Sequence, residues 1–308
     1  MKFHQLRYLC QVVECRFNVT DAAGILHTSQ PGISKQIRLL ERELGVDILV
    51  RSGNRIIGMT EAGERLVAAA RRVLADSRQL EDIAREFTQG DRGELTVATT
   101  HLHARYSLLP VIREFVRIYP QVQLKLLQSV PVEITMSVSR GDADIGISTG
   151  SDELVRHCVA LDAYRIHRCV VAPLGHPLLR RKRRLTLRDI AAHPLIVYES
   201  SLSSGSIVQD AFEGAGIRPV VVLKAMDADV LKAYVAAGLG VAVLQQLAYD
   251  ATRDTEIGAV AVDHLFPPST ARLIVDRTKF LRRYMFDFIR MVAPRWTPGR
   301  VREALNAS

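Results

Sequence analysis

The sequence has few cysteines, and none of them lies in a paired motif. Cys10, Cys15, Cys158 and Cys169 are spread over 308 residues, and no Cys-x-x-Cys spacing occurs. Disulfide frameworks and the common zinc motifs need such spacings, so this pattern argues against both. Cys10 lies among apolar residues and Cys169 opens a strand-like segment, so we expect most of these thiols to be buried.

The sequence also lacks membrane, secretory and nucleotide-binding signals. No stretch approaches the roughly 18 to 20 uncharged apolar residues of a membrane span, and residues 1–7 lack the apolar core of a secretory signal. We therefore expect a cytoplasmic protein with no membrane partner. No phosphate-loop or dinucleotide glycine pattern and no Gly-x-Ser-x-Gly elbow is present, so we predict no cofactor and no catalytic residues.

What the chain does carry is an apolar, basic composition. Hydrophobic residues make up 48%, and the formal net charge is +8. This length suits two or three domains, and the charge favours a polyanionic partner. The densest basic run, residues 180–184, is interpreted as a solvated loop, with a nucleic-acid patch as the alternative.

The first sixty residues have the pattern of three helices. Apolar spacing predicts one helix from Phe3 to about Arg16, a second beginning after Asn18 or Thr20, and a third from Pro31 to Gly45. Four apolar residues of the third helix form a stripe predicted to face the core, and its polar residues fall elsewhere. The stripe is Ile33, Ile37, Leu40 and Leu44; the polar set is Ser29, Gln30, Ser34, Lys35 and Arg38.

This segment allows two interpretations: an ordinary three-helix bundle with a solvated face, and a helix-turn-helix. Residues 46–51 and 55–59 are short apolar runs around a Ser-Gly-Asn turn, which favours a winged helix-turn-helix. Arg51 and Arg55 are then predicted to reach the DNA backbone. Residues 61–87 read as one long helix whose apolar stripe favours pairing with a second copy.

These residues resemble the LysR-type transcriptional regulators. The matching segments are Thr28–Ile37, Leu40-Glu41, Leu44-Gly45, Leu49–Arg51 and Thr60–Gly63. Within that family the chain looks most similar to the CysB group of sulfur-assimilation regulators. Further matches carry this closer likeness: Gln5–Tyr8, Ser29–Gln36, Arg51–Gly53, Ala98–His101, Ala104–Tyr106, Asp227–Val230 and Gly238–Val241.

The resemblance implies an α/β protein with an N-terminal winged helix-turn-helix at 1–59, a long linker helix for dimerisation at 60–90, and an effector-binding domain at 91–308. That domain would have two lobes like a periplasmic binding protein, the second at about 163–268. Implied partners are double-stranded promoter DNA, further copies in a homodimer or homotetramer, and RNA polymerase. The predicted DNA-contacting residues are Thr28, Ser29, Gln30, Pro31, Gly32, Ser34, Lys35, Arg38, Arg51 and Arg55.

Independently of the resemblance, strand and helix patterns alternate from Glu94 onward, which predicts a parallel α/β sheet. Residues 273–275 are a strand that returns to either lobe. Hydroxyl-rich stretches follow several predicted strands, at residues 99–100, 148–149 and 200–204. Strand ends in such sheets bind ligands, and neutral donors suit a small anion or zwitterion.

The segment Ala98–Tyr106 allows three interpretations. In an extended strand, His101 and His103 would point the same way and suggest a zinc site, yet no third ligand is indicated. We therefore predict no metal. The other interpretations are that His101 packs structurally while His103 is a partly exposed helix start, and that the segment forms an anion pocket.

The resemblance favours the pocket and shows where this chain departs from it. CysB-like regulators carry Thr-Thr-His-Thr-Gln-Ala-Arg-Tyr here and hold sulfate or an acetylserine-type inducer with the threonines and glutamine. This chain has Leu102 and His103 instead, and an imidazole can be charged below about pH 6.5. Ile166 stands where that group commonly has tryptophan, and Ser203-Ser204 replaces Thr-Gly.

The predicted effector is accordingly sulfate, an acetylserine-like molecule or a sulfonate-type molecule. Its predicted contacts are Thr99, Thr100, His101, Leu102, His103, Thr149, Ile166, Ser203 and Ser204. The rival hypothesis is a small-molecule binding protein or enzyme whose basic helical segment serves assembly. Specific, salt-dependent DNA binding distinguishes the two.

Overall fold

The computed structural model describes residues 1–53, 55–89, 92–149, 157–199 and 203–307, in two compact units, 1–90 and 91–308. Among these residues no helix is both long and apolar enough to cross a membrane.

The first unit packs three short helices against a hairpin and the start of a long helix. Its elements are α1 (Phe3–Glu14), α2 (Val19–Ile25), α3 (Gln30–Leu44), β1 (Leu49–Ser52), β2 (Arg55–Met59) and α4 (Glu61–Gln89). The Asn18 side chain accepts hydrogen bonds from the first turn of α2, and Ser29 caps α3. Gly45 ends α3 in the left-handed region at φ 70°, which glycine adopts without strain.

The apolar stripe of α3 faces the core as predicted at three of its four positions. Ile33, Ile37 and Leu40 are at most 1% exposed. Leu44 is 38% exposed, so its prediction was wrong. It occupies the last turn, where α3 has passed the helices it packs against and the core no longer covers it.

The first lobe of the second unit is a five-stranded sheet in the order β4-β3-β5-β12-β6. Its strands are β3 (Gly93–Thr99), β4 (Val122–Gln128), β5 (Ile145–Ser148), β6 (Cys158–Ile166) and β12 (Ser269–Asp276). The helices are α5 (Leu108–Ile118), α6 (Pro131–Ser139), α10 (Arg283–Val292) and α11 (Pro298–Asn306). A π-helical turn, His103–Ser107, leads into α5.

The second lobe repeats the plan with the order β11-β7-β10-β8-β9. Its strands are β7 (Arg168–Pro173), β8 (Leu195–Tyr198), β9 (Val221–Ala225), β10 (Val241–Gln245) and β11 (Ile257–Ala261). The helices are α7 (Leu187–Ala191), α8 (Ser203–Gly214) and α9 (Ala228–Ala236), with 3-10 turns at Pro177–Arg180 and Gln246–Ala248.

Both sheets are mixed, which corrects the expectation of a parallel sheet. β4, β3 and β5 run parallel, but β12 pairs antiparallel with β5 and β6. In the other lobe β7 is antiparallel to β10 and β11. The chain passes between the lobes twice, after β6 and after β11, and the strand that follows each passage, β7 or β12, runs antiparallel to its neighbours in the sheet. Residues 273–275 therefore return to the first lobe.

The basic run at 180–184 packs on its own lobe. Arg181 and Arg183 both pair with Asp189, which is 8% exposed and also caps α7 with Thr186. This supports the loop interpretation over a nucleic-acid patch, because two of the five cations already have an internal carboxylate.

Candidate DNA-reading helix and effector cleft

Helix α3 presents a polar surface opposite its buried stripe. Gln30, Lys35 and Arg38 are exposed, and Ser34 is half-buried. Pro31 occupies the first turn, where no amide hydrogen is lost. The Ser29 hydroxyl accepts from the backbone N–H of Gly32 at 3.2 Å, so Ser29 has a structural role as the helix cap. An exposed front of amide and cationic groups on a helix is the chemistry that reads bases and holds phosphates.

Arg51 has an internal partner that the sequence did not predict. Its Nη2 lies 2.8 Å from Glu41 Oε2 and its Nη1 donates to Glu41 Oε1 at 3.1 Å. Glu41 is buried on α3, and its Oε1 also accepts from the backbone N–H of Ile48 and Leu49. The guanidinium therefore joins the hairpin to α3, whereas Arg55 on β2 is exposed.

A cleft lies where strand ends of the two lobes face one another in the second unit, with a volume of about 330 Å³. The first lobe contributes the ends of β3, β4 and β5, which are neighbours in its sheet. The second contributes the ends of β8, β9 and β10. Of the predicted effector residues, Thr100, His101, Leu102 and Thr149 line this cleft.

Two predicted effector residues face the first lobe's own interior. The Thr99 hydroxyl is fully buried and donates to the carbonyl of Ile147 at 3.0 Å. Ile166 is 1% exposed at the end of β6. Neither lines the cleft: the Thr99 hydroxyl is held within the first lobe's sheet, and Ile166 is buried at the end of β6 away from the lining residues. Ser203 and Ser204 begin α8, and their side chains lie outside the described part of the chain.

His103 is buried as well, which corrects its predicted place among the effector contacts. Residues 101–107 are helical, not extended, so His101 is half-exposed while His103 is 0% exposed. The two rings cannot share a metal. His103 Nδ1 lies 2.9 Å from the Tyr164 hydroxyl, which in turn donates to Ser107 Oγ at 2.6 Å.

Burial lowers the pKa of His103 to about 4 because a charged imidazole loses its hydration there. The ring is therefore neutral at physiological pH and supplies no cation to the cleft. Its Nε2 has no hydrogen-bond partner among the described residues.

This buried histidine predicts a specific acid sensitivity. Above about pH 6.5 the imidazole is neutral in both folded and unfolded chains and adds nothing to the pH dependence. Between about pH 6.5 and pH 4 the imidazole is protonated in the unfolded chain but stays neutral in the folded chain. The free energy of unfolding therefore falls as pH drops. We measure the free energy of unfolding by denaturant at pH 7 and at pH 5. Its drop between these two pH values should be smaller in His103→Gln than in the parent protein, by on the order of 2 kcal/mol. Equal pH dependence in the two proteins would contradict the assignment.

Charged groups beside the cleft are engaged with one another across the lobes. The Asp229 carboxylate on α9 accepts a hydrogen bond from the Tyr106 hydroxyl at 2.5 Å. Three nitrogen atoms each lie 3.5 Å from one of its oxygens: Arg105 Nε, His101 Nε2 and Lys232 Nζ. His101 Nδ1 also lies 3.4 Å from Gln128 Oε1.

His101, Asp227 and Asp229 lie close enough together to share a cation. However, Arg105 and Lys232 already offset the charge of Asp229, and Asp227 caps α9 through the N–H of Val230. We assign no metal there.

Sequence reasoning missed the second lobe's lining. Tyr198, Met226, Asp227, Ala228 and Gln245 all stand at or just beyond strand ends. Tyr198 is 6% exposed, burial raises the pKa of its hydroxyl, and that hydroxyl has no hydrogen-bond partner among the described residues. A search of the strand ends of both lobes, instead of hydroxyl-rich stretches alone, points to this lining, because each of the five is the last residue of its strand or lies within three residues after it.

Family models match both units. Residues 3–64 match the bacterial regulatory helix-turn-helix protein, lysR family, and residues 88–297 match the LysR substrate binding domain. The chain belongs to the LysR family. It is 43% identical to the HTH-type transcriptional regulator SsuR of Burkholderia cenocepacia, over 99% of this chain and 100% of SsuR. It is 40% identical to the HTH-type transcriptional regulator CysB of Haemophilus influenzae, over 99% of this chain and 94% of CysB.

A solved structure agrees with these relatives. The crystal structure of the cofactor-binding domain of the Cbl transcriptional regulator has a TM-score of 0.66 at 34% identity, covering 71% of this chain and 96% of that one. The predicted family and fold class are thus confirmed. As a LysR-family member, the protein is a DNA-binding transcriptional regulator with an effector-binding domain, and not an enzyme.

Proposed function

We propose that this LysR-family regulator binds promoter DNA through α3 and the β1–β2 hairpin, and that a small anionic or zwitterionic sulfur compound in the cleft controls that binding. The observation that carries the proposal is the cleft at the strand ends of both lobes, where neutral hydrogen-bond donors form part of the lining. The identity to SsuR and CysB and the CysB-like segment at 98–106 support the link to sulfur metabolism.

The DNA contacts that we propose are five polar or cationic members of the predicted set. Gln30, Ser34, Lys35 and Arg38 lie on the surface of α3, and Arg55 lies on the hairpin. Arg51 is left out because Glu41 holds it.

A dimer through α4 is part of the proposal. Val73, Leu80 and Phe87 are exposed at 38%, 71% and 85%, and they recur every seven residues along the helix. Apolar residues at this spacing form the seam of a two-helix coiled coil, which a second copy of α4 would cover. Paired dimers would give the tetramer that the family resemblance implies.

The experiment that tests the DNA-binding role is a titration of the promoter region with the full chain at several salt concentrations. Lys35→Ala should weaken binding and make the slope of log affinity against log salt shallower by about one, because one phosphate contact is lost. Ser34→Ala should weaken operator binding with a smaller change of slope. Lys125→Ala, which removes one exposed cation from the other unit, is the control with matched charge.

Unchanged footprints in both the Ser34 and Lys35 variants would contradict the placement of α3 on the operator. Turnover of a small molecule without salt-dependent DNA affinity would favour the rival assembly hypothesis instead.

A further inference from the structure

A hydrogen bond joins the two lobes of the second unit beside the cleft. The Tyr106 hydroxyl, on the helical segment that follows β3 in the first lobe, donates to Asp229 on α9 of the second lobe at 2.5 Å. We infer that Tyr106 and Asp229 form an interlobe latch, which holds the lobes in the arrangement that shapes the cleft and thereby sets the affinity of the cleft for its ligand. The second part of this inference rests on the proposed function, in which the cleft is the effector site.

The second lobe holds a cation in place beneath the Tyr106 ring. Lys232 Nζ lies 5.1 Å from the centre of that ring, which is a cation–π contact. Nζ also donates to Asp254 Oδ1 and to the carbonyl of Ala248, each at 2.9 Å, and the Lys232 side chain is only 11% exposed. The cation is therefore positioned by groups of its own lobe, and the tyrosine of the other lobe packs on it.

Apolar packing accompanies the hydrogen bond. Leu102 and Tyr106, both from the first lobe, are partly buried against an apolar cluster of the second lobe that includes Ala228, Leu231 and Ala248. Removing this surface from water favours contact between the lobes. Every group in these contacts belongs to the chain itself, so the latch needs no ligand to bridge it.

Tyr106 contributes more to the latch than the ion pairs around it. Arg105 and His101 each lie 3.5 Å from Asp229, and their side chains are 54% and 44% exposed. Exposed ion pairs contribute little, whereas a hydrogen bond to a charged acceptor contributes more. Asp229 is such an acceptor: burial alone would raise its pKa, but the hydrogen bond from Tyr106 and the charge of Lys232 outweigh burial and lower that pKa. The test therefore targets the Tyr106 hydroxyl.

The latch and the cleft share one helical segment. Residues 100–102 line the cleft, and the π-helical turn 103–107 continues directly from them. Neither Tyr106 nor Asp229 belongs to the described lining. They act on the cleft through the arrangement of the lobes. A ligand that contacts both lobes binds only the population in which the lobes lie together, so its apparent affinity falls with that fraction.

Amide hydrogen exchange of the full chain, with no small molecule added, tests the latch. Tyr106→Phe removes the hydroxyl but keeps the ring. Exchange on the opposite lobe, in α9 and in the turn Gln246–Ala248, should become about tenfold faster, the factor expected for one hydrogen bond to a charged group. Asp229→Ala should have the reciprocal effect on the turn 103–107. Because both variants remove the same bond, the double variant should exchange no faster than Asp229→Ala.

Tyr119→Phe is the matched control. The Tyr119 hydroxyl also donates to an aspartate, Asp287, but both residues belong to the first lobe. Its loss should leave exchange in α9 unchanged. Three results would overturn the inference: parental exchange of α9 in Tyr106→Phe, faster exchange of α9 in Tyr119→Phe, or additive effects of the two latch variants.

Calorimetric titration with sulfate and with butanesulfonate, a sulfonate-type compound, connects the latch to the cleft. Whichever binds the parent chain more tightly should bind Tyr106→Phe severalfold more weakly, whereas Tyr119→Phe should keep the parental affinity. Unchanged affinity despite faster exchange would overturn the role of the latch in ligand binding. If neither compound binds the parent chain, or if salt-dependent promoter binding is absent, the proposed function fails and the exchange result alone decides the latch.

Discussion

Replacing Glu41 with alanine should reduce the free energy of unfolding of the first unit by about 3 kcal/mol. Glu41 is 6% exposed, and its two oxygens accept four hydrogen bonds from Ile48, Leu49 and Arg51. Alanine would leave a half-buried guanidinium and two backbone N–H groups without their acceptor. Because these bonds hold the hairpin to α3, operator affinity should fall as well. Urea unfolding and promoter titration measure the two effects.

The same carboxylate predicts a pH dependence. Burial alone would raise the pKa of Glu41, but hydrogen bonds from Arg51 and from the backbone of Leu49 and Ile48 outweigh it and lower that pKa. A lowered folded pKa means that the stabilisation is complete above the ordinary value of 4.5 and is lost as pH falls through the folded value. This acid-dependent loss should be smaller in Glu41→Ala.

Glu61→Gln is the matched control. Glu61 forms an ion pair with Arg65 one turn away, and their side chains are 83% and 81% exposed. Exposed pairs of this kind contribute little, so the change in unfolding free energy should stay within about 0.5 kcal/mol. Similar losses in the two variants would show that the buried contacts of Glu41 do not hold the hairpin.

Gly205→Ala should destabilise the second unit by about 2 to 3 kcal/mol and weaken effector binding. A Cβ at Gly205 would lie 2.2 Å from the carbonyl oxygen of Glu199 and 2.9 Å from that of Tyr198. Both atoms belong to the backbone, so no rotamer change relieves the overlap. The end of β8 must shift, and with it Tyr198 on the cleft wall. Thermal unfolding and titration with butanesulfonate measure these changes.

Gly214→Ala on the same helix provides the comparison. No atom lies within 4 Å of a Cβ built there, and alanine has the higher helix propensity. Stability should be unchanged or rise by up to about 1 kcal/mol. If both glycine variants behaved alike, the close approach at Gly205 would not be what shapes this side of the cleft.

The features of the first unit that the sequence predicted depend on residues that are close together in the chain. The cap of α2, the stop at Gly45 and the exposed face of α3 follow from residues within one helix turn, and the sequence predicted them. Arg51 was predicted to face DNA from its place on the hairpin. Its pairing with Glu41 was missed because Glu41 lies ten residues away on another element. The burial of Leu44 was predicted from periodicity, which does not register where the packing partner ends.

The segment Ala98–Tyr106 illustrates the same division at the cleft. The sequence predicted a ligand site after the first strand of the effector domain, and Thr100, His101 and Leu102 line the cleft there. The predicted effector contacts also included His103 beside His101. The helical turn rotates His103 onto Tyr164, which is 61 residues away in the chain, and burial there keeps the imidazole neutral.

Local patterns were therefore sufficient to predict the helix-turn-helix, the alternation of strands and helices and a cleft at the strand ends, and the resemblance of the motifs indicated the family. Folding in three dimensions settled which side chains of those segments reach the cleft, which cations are already paired, and that Tyr198 and Thr100, from different lobes, line the same cleft. The physical reason is range. Helix periodicity and capping depend on neighbours a few residues apart, whereas burial, charge pairing and pKa depend on groups that the chain brings together from more than sixty residues away.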